Sequence, residues 1–134
     1  MSAPEIDEED MQMIYNWVDE IPLSWPKRNI GWDFADGVLI AEIIHYYFPK
    51  LVELHNYQSV SGKTKKTYNW TTLNQKVFKK MGLQISKEDI TAIVMAEPEA
   101  IEWVLKVIKD RLVEIKSGSW KLTAAGPAAL QPPK

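Results

Sequence analysis

Residues 33–48 constrain the fold of this chain more than any other stretch, because apolar side chains occur on nearly every side of the helix that they predict. A helix of that kind is normally enclosed by other helices, so we place it at the centre of the molecule. Pro22 and Pro26 enforce a turn before it, and Pro49 stops it. The stretch therefore predicts a buried central helix that needs helical partners.

Helical periodicity also dominates the rest of the sequence, and no pair of alternating runs predicts a hairpin. Four further helices are predicted: over 8–20, over 70–81 with Gly82 as its C-cap, over 86–96 opened by Ser86 and Asp89, and from Pro98 along the apolar stripe to Ile115. We interpret residues 51–68 as a loop with only brief order. The fold class is all-α.

The chain has 134 residues, enough for one core and too few for two ordinary domains. We divide it into an acidic segment over 1–7, a helical domain over 8–116 and a flexible linker over 117–134, where Gly, Ala and Pro replace the periodic pattern.

Trp17, Trp70 and Trp103 lie within helical patterns and are predicted to be core residues. Gly37 falls inside the predicted central helix, at a cost of about 1 kcal/mol relative to alanine, so we expect it to pack closely against a neighbouring helix.

Several classes of function lack their sequence signals. Cysteine is absent, and no phosphate-binding loop, dinucleotide turn or nucleophile elbow occurs among the six glycines. His45 and His55 are not at metal-ligand spacing. We therefore expect no enzyme activity, no cofactor and no metal site. No segment is long and apolar enough to insert in a membrane, and no basic–aromatic motif predicts nucleic-acid binding, so we expect a cytoplasmic protein.

The charge is unevenly distributed. Residues 1–20 carry seven acidic groups and no Lys or Arg, whereas residues 21–80 carry nine basic groups against four acidic ones, a net charge of +5. The basic candidates for binding are Lys27 and Arg28 at the proline turn, Lys63, Lys65 and Lys66 in the predicted loop, and Lys76, Lys79 and Lys80 along one stripe of the third predicted helix. Trp25 and Trp32 flank the first pair and are candidate interface aromatics. Such a surface favours an acidic partner.

Several motifs in the sequence also resemble those of a known domain family. The opening Asp33-Phe34-x-Asp36-Gly37 resembles the second-helix signature of calponin-homology domains. The stretches Phe48-Pro49-Lys50-Leu51-Val52-Glu53, Asn56-Tyr57 and Asn69-Trp70-x-x-Leu73-Asn74-x-Lys76-Val77-x-Lys79-Lys80 resemble the sperm flagellar protein 1 (CLAMP) family of such domains. The resemblance covers roughly residues 8–116. It implies the calponin-homology fold, a compact bundle of four main helices plus shorter ones.

The resemblance also implies a partner. Its branch is associated with microtubules of the cilium or flagellum axoneme, so the basic residues are expected to contact acidic tubulin surfaces. Bundling of microtubules would need dimerisation through sequence outside this chain. Two alternatives stay open: actin-filament binding, although actin-binding relatives usually carry two such domains in tandem, and a protein–protein adaptor that docks through Trp25 and Trp32.

Overall fold

The computed structural model describes residues 6–23 and 29–122. Its α-helices are α1 (Glu8–Asp19), α2 (Ile30–Asp33), α3 (Val38–Tyr47), α4 (Lys63–Lys76), α5 (Lys87–Val94) and α6 (Ala100–Ser117), with 3₁₀ helices at Pro49–Leu51, Leu54–Asn56 and Phe78–Met81. No strand occurs among the described residues. The all-α prediction is confirmed, with four longer helices (α1, α3, α4 and α6) and several shorter ones. Within the described part, no helix meets the length and apolarity that a membrane crossing requires.

The central position predicted for the apolar helix is confirmed, but its start is not. Helix α3 buries five residues of its ten, and it packs against α6 and two of the 3₁₀ helices. It begins at Val38 rather than at Asp33, because Gly37 has a left-handed backbone with φ of +83°. Asp33 instead ends the single-turn α2. The expected close packing of Gly37 is present, since a Cβ there would lie 3.1 Å from Cδ1 of Leu73 on α4.

Helix α4 begins seven residues earlier than predicted, at Lys63, and it ends at Lys76. The sequence did not predict this start because the buried residues of the first two turns of α4 are polar. The Lys66 side chain and Asn69 fill the buried face of these turns, and the Asn69 amide donates to the carbonyls of Asp36 and Gln58, both at 3.0 Å. The predicted loop over 51–68 is therefore partly helical. At the other end, Val77 departs from helical geometry with φ of −120°.

The C-terminal half follows its sequence signals closely. Ser86 caps α5, its hydroxyl accepting from the Asp89 backbone N–H at 3.1 Å, and Gly82 takes the expected left-handed conformation with φ of +70°. Helix α6 starts at Ala100 and not at Pro98, since Glu99 has φ of +66°. Its apolar stripe is buried against α1, α3 and α5, which places α6 beside α3 in the core.

The three tryptophans that were predicted to be core residues differ in how deeply they are buried. Trp70 is fully buried and its indole N–H donates to the Ala35 carbonyl at 2.8 Å. Trp103 is also buried. Trp17 is only half-buried, and it packs at the edge of the core. In the segment predicted as a linker, Trp120 lies against Arg111, with the guanidinium carbon 3.9 Å from the ring centroid.

Candidate functional site

Three of the predicted site residues cannot be placed. Trp25, Lys27 and Arg28 lie outside the described residues. Their role in binding stays a prediction, and the geometry below concerns the six candidate lysines and Trp32, which the structure describes.

Lys63, Lys65 and Lys66, which we call the N-terminal lysine group, lie on the first turn of α4 and not in a loop. Lys63 and Lys65 are exposed. Lys66 is only 9% exposed, and its Nζ lies 5.3 Å from the centroid of the Trp32 ring. Trp32, one of the two candidate interface aromatics, is 62% exposed. The fold thus places an accessible indole beside this lysine group.

The positive field here comes from the backbone as well as from the lysines. The first N–H groups of a helix carry partial positive charge, and acidic side chains there are normally stabilising. The first turn of α4 contains no acidic residue, and its N-cap, Gly62, provides no side-chain oxygen. Lysines at this position oppose the helix dipole, typically by about 0.3–1 kcal/mol each at an exposed site. Helix stability alone would therefore favour acidic residues over lysines on the first turn of α4.

Nearby carboxylates are engaged by other groups. Asp36 lines the same groove as Trp32, and its oxygens accept from the backbone N–H groups of Val38 and Val60 at 3.0 and 3.3 Å and from the Ser59 hydroxyl at 3.4 Å. Asp33 accepts from the Asn29 backbone N–H at 3.0 Å. No ion pair between described residues includes a lysine of the N-terminal group. The positive charge of Lys63 and Lys65 is therefore available to a partner.

Lys76, Lys79 and Lys80, which we call the C-terminal lysine group, do not form the single helical stripe that the sequence predicts. Helix α4 ends at Lys76, and the other two lie on the following 3₁₀ helix. Because of that break, Lys79 borders a groove beside Leu83, whereas Lys80 borders another groove beside Lys50. Their side chains face different parts of the surface.

The two lysine groups lie at opposite ends of α4. A helix of 14 residues is about 21 Å long. The solvent side between the groups carries uncharged residues: Thr67, Tyr68, Thr71 and Gln75. The six lysines therefore form two separated basic groups, one at the start of α4 and one at its end and on the following 3₁₀ helix, rather than a single compact patch.

A second surface, on α1, α3 and α6, escaped the sequence analysis. Trp17, Tyr46 and Val113 lie around one groove, although they are far apart in the chain. The available signal was the spacing of Lys109, Leu112, Val113 and Lys116, which puts four residues on one face of α6.

The described residues also bear on catalysis and metal binding. Within 6–23 and 29–122, no three His, Asp or Glu residues come together as a metal site requires. The Tyr15 hydroxyl donates to the carboxylate of the buried Glu102 at 2.8 Å. Burial, followed by the Glu102 hydrogen bond, raises the pKa of Tyr15 to about 12. The hydroxyl thus stays protonated at neutral pH, and the pair ties α1 to α6.

Comparisons with known proteins identify the family. A family model described as "CH-like domain in sperm protein" matches residues 14–110. The chain is 50% identical over 112 residues to sperm flagellar protein 1 of Xenopus laevis, covering 84% of this chain and 49% of that protein. It is 45% identical over 112 residues to the human protein of the same name, covering 84% of this chain and 48% of the relative.

The mouse protein of that name gives a similar result, 45% identity over 109 residues, covering 81% of this chain and 47% of the relative. The chain spans about half the length of the curated relatives that it matches. The helical fold, the family match and the similarity to these relatives all indicate the same family. The chain belongs to the CH-like domain family of sperm protein, a cytoskeletal group of calponin-homology domains.

Proposed function

We propose that this chain is a microtubule-binding calponin-homology domain that contacts acidic tubulin surfaces through the N-terminal lysine group and Trp32. The observation that carries the proposal is the start of α4, where exposed Lys63 and Lys65 precede Lys66 on the same turn and belong to no ion pair between described residues. Lys66 there contacts Trp32. Charge at an accessible surface speeds association and selects partners of opposite sign.

The aromatic residue adds a contact that charge alone does not supply. Tryptophan is enriched at the energetic centres of interfaces, because its large ring excludes water from neighbouring polar contacts. The Trp32 ring is largely accessible, and the Nζ of the mostly buried Lys66 lies over its face. A partner that covers Trp32 would desolvate the adjacent lysine charges and strengthen their interaction with carboxylates.

The C-terminal lysine group is proposed as a second contact. Lys76 and Lys79 are exposed, and neither belongs to an ion pair between described residues. A separation of about 20 Å along α4 allows the two groups to meet different acidic segments of one filament. Lys27 and Arg28 are retained as predicted members of the binding surface on the basis of sequence alone.

The names of the relatives suggest where the protein works. Proteins called sperm flagellar protein 1 point to the flagellum, and we place this chain on axonemal microtubules of cilia or flagella. One compact domain does not readily cross-link two filaments, so bundling depends on dimerisation through sequence outside this chain. The adaptor and actin alternatives become outcomes of the test, and no catalytic activity is expected.

Parallel co-sedimentation with microtubules and with actin filaments, across a salt series, tests the proposal. We expect the protein to pellet with microtubules, and the bound fraction to fall as salt rises, because exposed charges are screened over about 8 Å at physiological ionic strength. Pelleting with actin alone would replace tubulin by actin as the partner. Absence of pelleting with either filament would leave the adaptor function.

A further inference from the structure

We propose that a groove formed by α1, α3 and α6 docks an acidic, amphipathic helix of a partner protein. The groove has a volume of about 830 Å³, and its apolar wall comes from all three helices. Tyr46 is 51% exposed and Val113 is 57% exposed. Large apolar side chains grouped at this exposure mark interaction surfaces on proteins that are otherwise polar outside.

The aromatic wall is already held in position. The indole N–H of Trp17 donates to the Tyr47 hydroxyl at 2.9 Å, and the two rings stack with centroids 6.2 Å apart and planes 17° apart. Tyr46 meets Tyr47 edge-on, with centroids 5.0 Å apart. Side chains fixed in this way lose little conformational entropy on binding, which favours affinity.

Lysines border this apolar wall on α6. Lys109 and Lys116 lie two turns apart on the same helix face, with Leu112 and Val113 between them. The acidic residues of this part of α6 lie off that face and are paired: Asp110 with Lys106 at 3.9 Å, and Glu114 with Arg111 at 2.9 Å.

A second groove continues the surface. It has a volume of about 460 Å³, shares Tyr47 and Phe48 with the first, and brings in Lys50 and Lys80. None of the described residues that line either groove is acidic. The two grooves together present aromatic and aliphatic side chains bordered by four lysines.

Charge and geometry point to one occupant. A helix that places leucine-sized residues at three- and four-residue spacing fits an apolar groove, and acidic residues on its flanks would meet the lysines. The distance from Lys109 to Lys116 is about 10 Å along α6, so about two turns of a helix cover it.

Two other occupants lack this complementarity. Residues 123–134 of the chain contain one Lys and no Asp or Glu. A second copy meeting the same face about a two-fold axis would bring lysines against lysines, which is repulsive. The proposal goes beyond microtubule binding, because the groove of α1, α3 and α6 includes no residue of either lysine group. Lys80 of the C-terminal lysine group borders only the second groove.

The probe for this surface is a fluorescein-labelled synthetic peptide of about 16 residues, with leucines along one helical face and glutamates on the flanks. We expect its anisotropy to rise with the 134-residue chain, with a Kd on the order of 10 μM that weakens as salt rises. A peptide of the same composition, with the leucines distributed around the helix, should bind at least tenfold more weakly.

Variants of the chain assign the binding to the groove. Tyr46→Ala with Val113→Ala should weaken peptide binding about tenfold, and Lys109→Glu with Lys116→Glu should abolish it. The matched control, Lys87→Glu with Lys121→Glu, changes the charge equally at exposed lysines outside both grooves and should leave binding unchanged. Circular dichroism verifies folding of each variant.

Several outcomes overturn the proposal: no anisotropy change at about 100 μM protein, equal binding of both peptides, or groove variants that bind the peptide like the parent chain. Self-association that Val113→Glu abolishes would assign the groove to a second copy instead. A large gain in peptide binding on removal of residues 123–134 would assign it to the chain's own tail. Microtubule pelleting of the groove variants should match the parent chain, so the two proposals fail separately.

Discussion

The Nζ atom of Lys66 lies 5.3 Å from the centroid of the Trp32 ring and thereby joins the single-turn α2 to the first turn of α4. The contact explains how a lysine can be 9% exposed without a carboxylate partner, because its alkyl stem packs along the protein and its charge meets the face of an indole. It also fixes an exposed aromatic beside Lys63 and Lys65.

Replacing Trp32 tests that arrangement. Trp32→Ala should weaken microtubule binding several-fold, because it removes the exposed ring and a cation–π contact of about 0.5–1 kcal/mol. Trp32→Phe keeps a ring face above Lys66 and should retain most of the affinity. Co-sedimentation at constant salt measures both variants. Equal binding by Trp32→Ala and the parent chain would exclude the aromatic from the binding surface.

Gly37 provides a test of the backbone. Gly37→Ala should lower the free energy of unfolding by about 1–2 kcal/mol, because alanine is disfavoured at a φ of +83° and its Cβ would press on Leu73. Gly62→Ala is the control: Gly62 has a φ of −84°, and a Cβ there meets nothing within 4 Å. Gly62→Ala should change the free energy of unfolding by no more than about 0.5 kcal/mol. Urea denaturation followed by circular dichroism compares the two, and similar losses would contradict this account of Gly37.

Tyr15 is partly buried and Tyr57 is buried, and the two should respond oppositely to loss of the hydroxyl. Tyr15→Phe removes the 2.8 Å hydrogen bond to the buried Glu102 carboxylate and should cost about 1–3 kcal/mol of unfolding free energy. The Tyr57 hydroxyl is buried without a hydrogen-bond partner among the described residues. Tyr57→Phe should therefore be neutral or stabilising. Urea denaturation measures the free energy of unfolding of both variants. A larger loss for Tyr57→Phe than for Tyr15→Phe would contradict this prediction and indicate a hydrogen-bond partner for the Tyr57 hydroxyl.

The same tyrosines predict how stability falls in alkali. Burial raises the pKa of Tyr57 to about 12, with a smaller contribution from the Glu53 carboxylate, and the pKa of Tyr15 is raised to a similar value. The ordinary tyrosine pKa is about 10. Because the folded state holds these protons more tightly than the unfolded state, their contribution is fully present below pH 10 and is lost between about pH 10 and 12. Denaturation across this range should show the loss, and the double variant Tyr15→Phe/Tyr57→Phe should show a shallower decline.

Periodic apolar patterns predicted much of the fold. The central α3 and the stripe of α6 follow from residues such as Ile40 and Ile108, which are fully buried as their spacing indicates. The start of α4 was not predictable in this way, because Lys66 and Asn69 fill its buried face through a long alkyl stem and amide hydrogen bonds. Hydrophobic periodicity does not register such contacts.

The candidate site was less accessible to sequence reasoning than the fold. The choice of basic residues came from local charge, but their division into two groups depends on the helix break at Val77, which has no proline or glycine to signal it. The apolar groove combines Trp17, Tyr46 and Val113 from three helices. Only the tertiary fold brings those residues together.

The most direct test of microtubule binding reverses the two exposed charges at the start of α4. Lys63→Glu with Lys65→Glu should preserve folding, because acidic residues at a helix start interact favourably with the helix dipole. The change should weaken microtubule affinity about tenfold or more in Kd, equivalent to about 1.4 kcal/mol. Lys87→Glu with Lys121→Glu carries the same change of charge and should bind like the parent chain. Unchanged affinity of the folded Lys63→Glu/Lys65→Glu variant, or an equal loss in the control, would contradict the proposal.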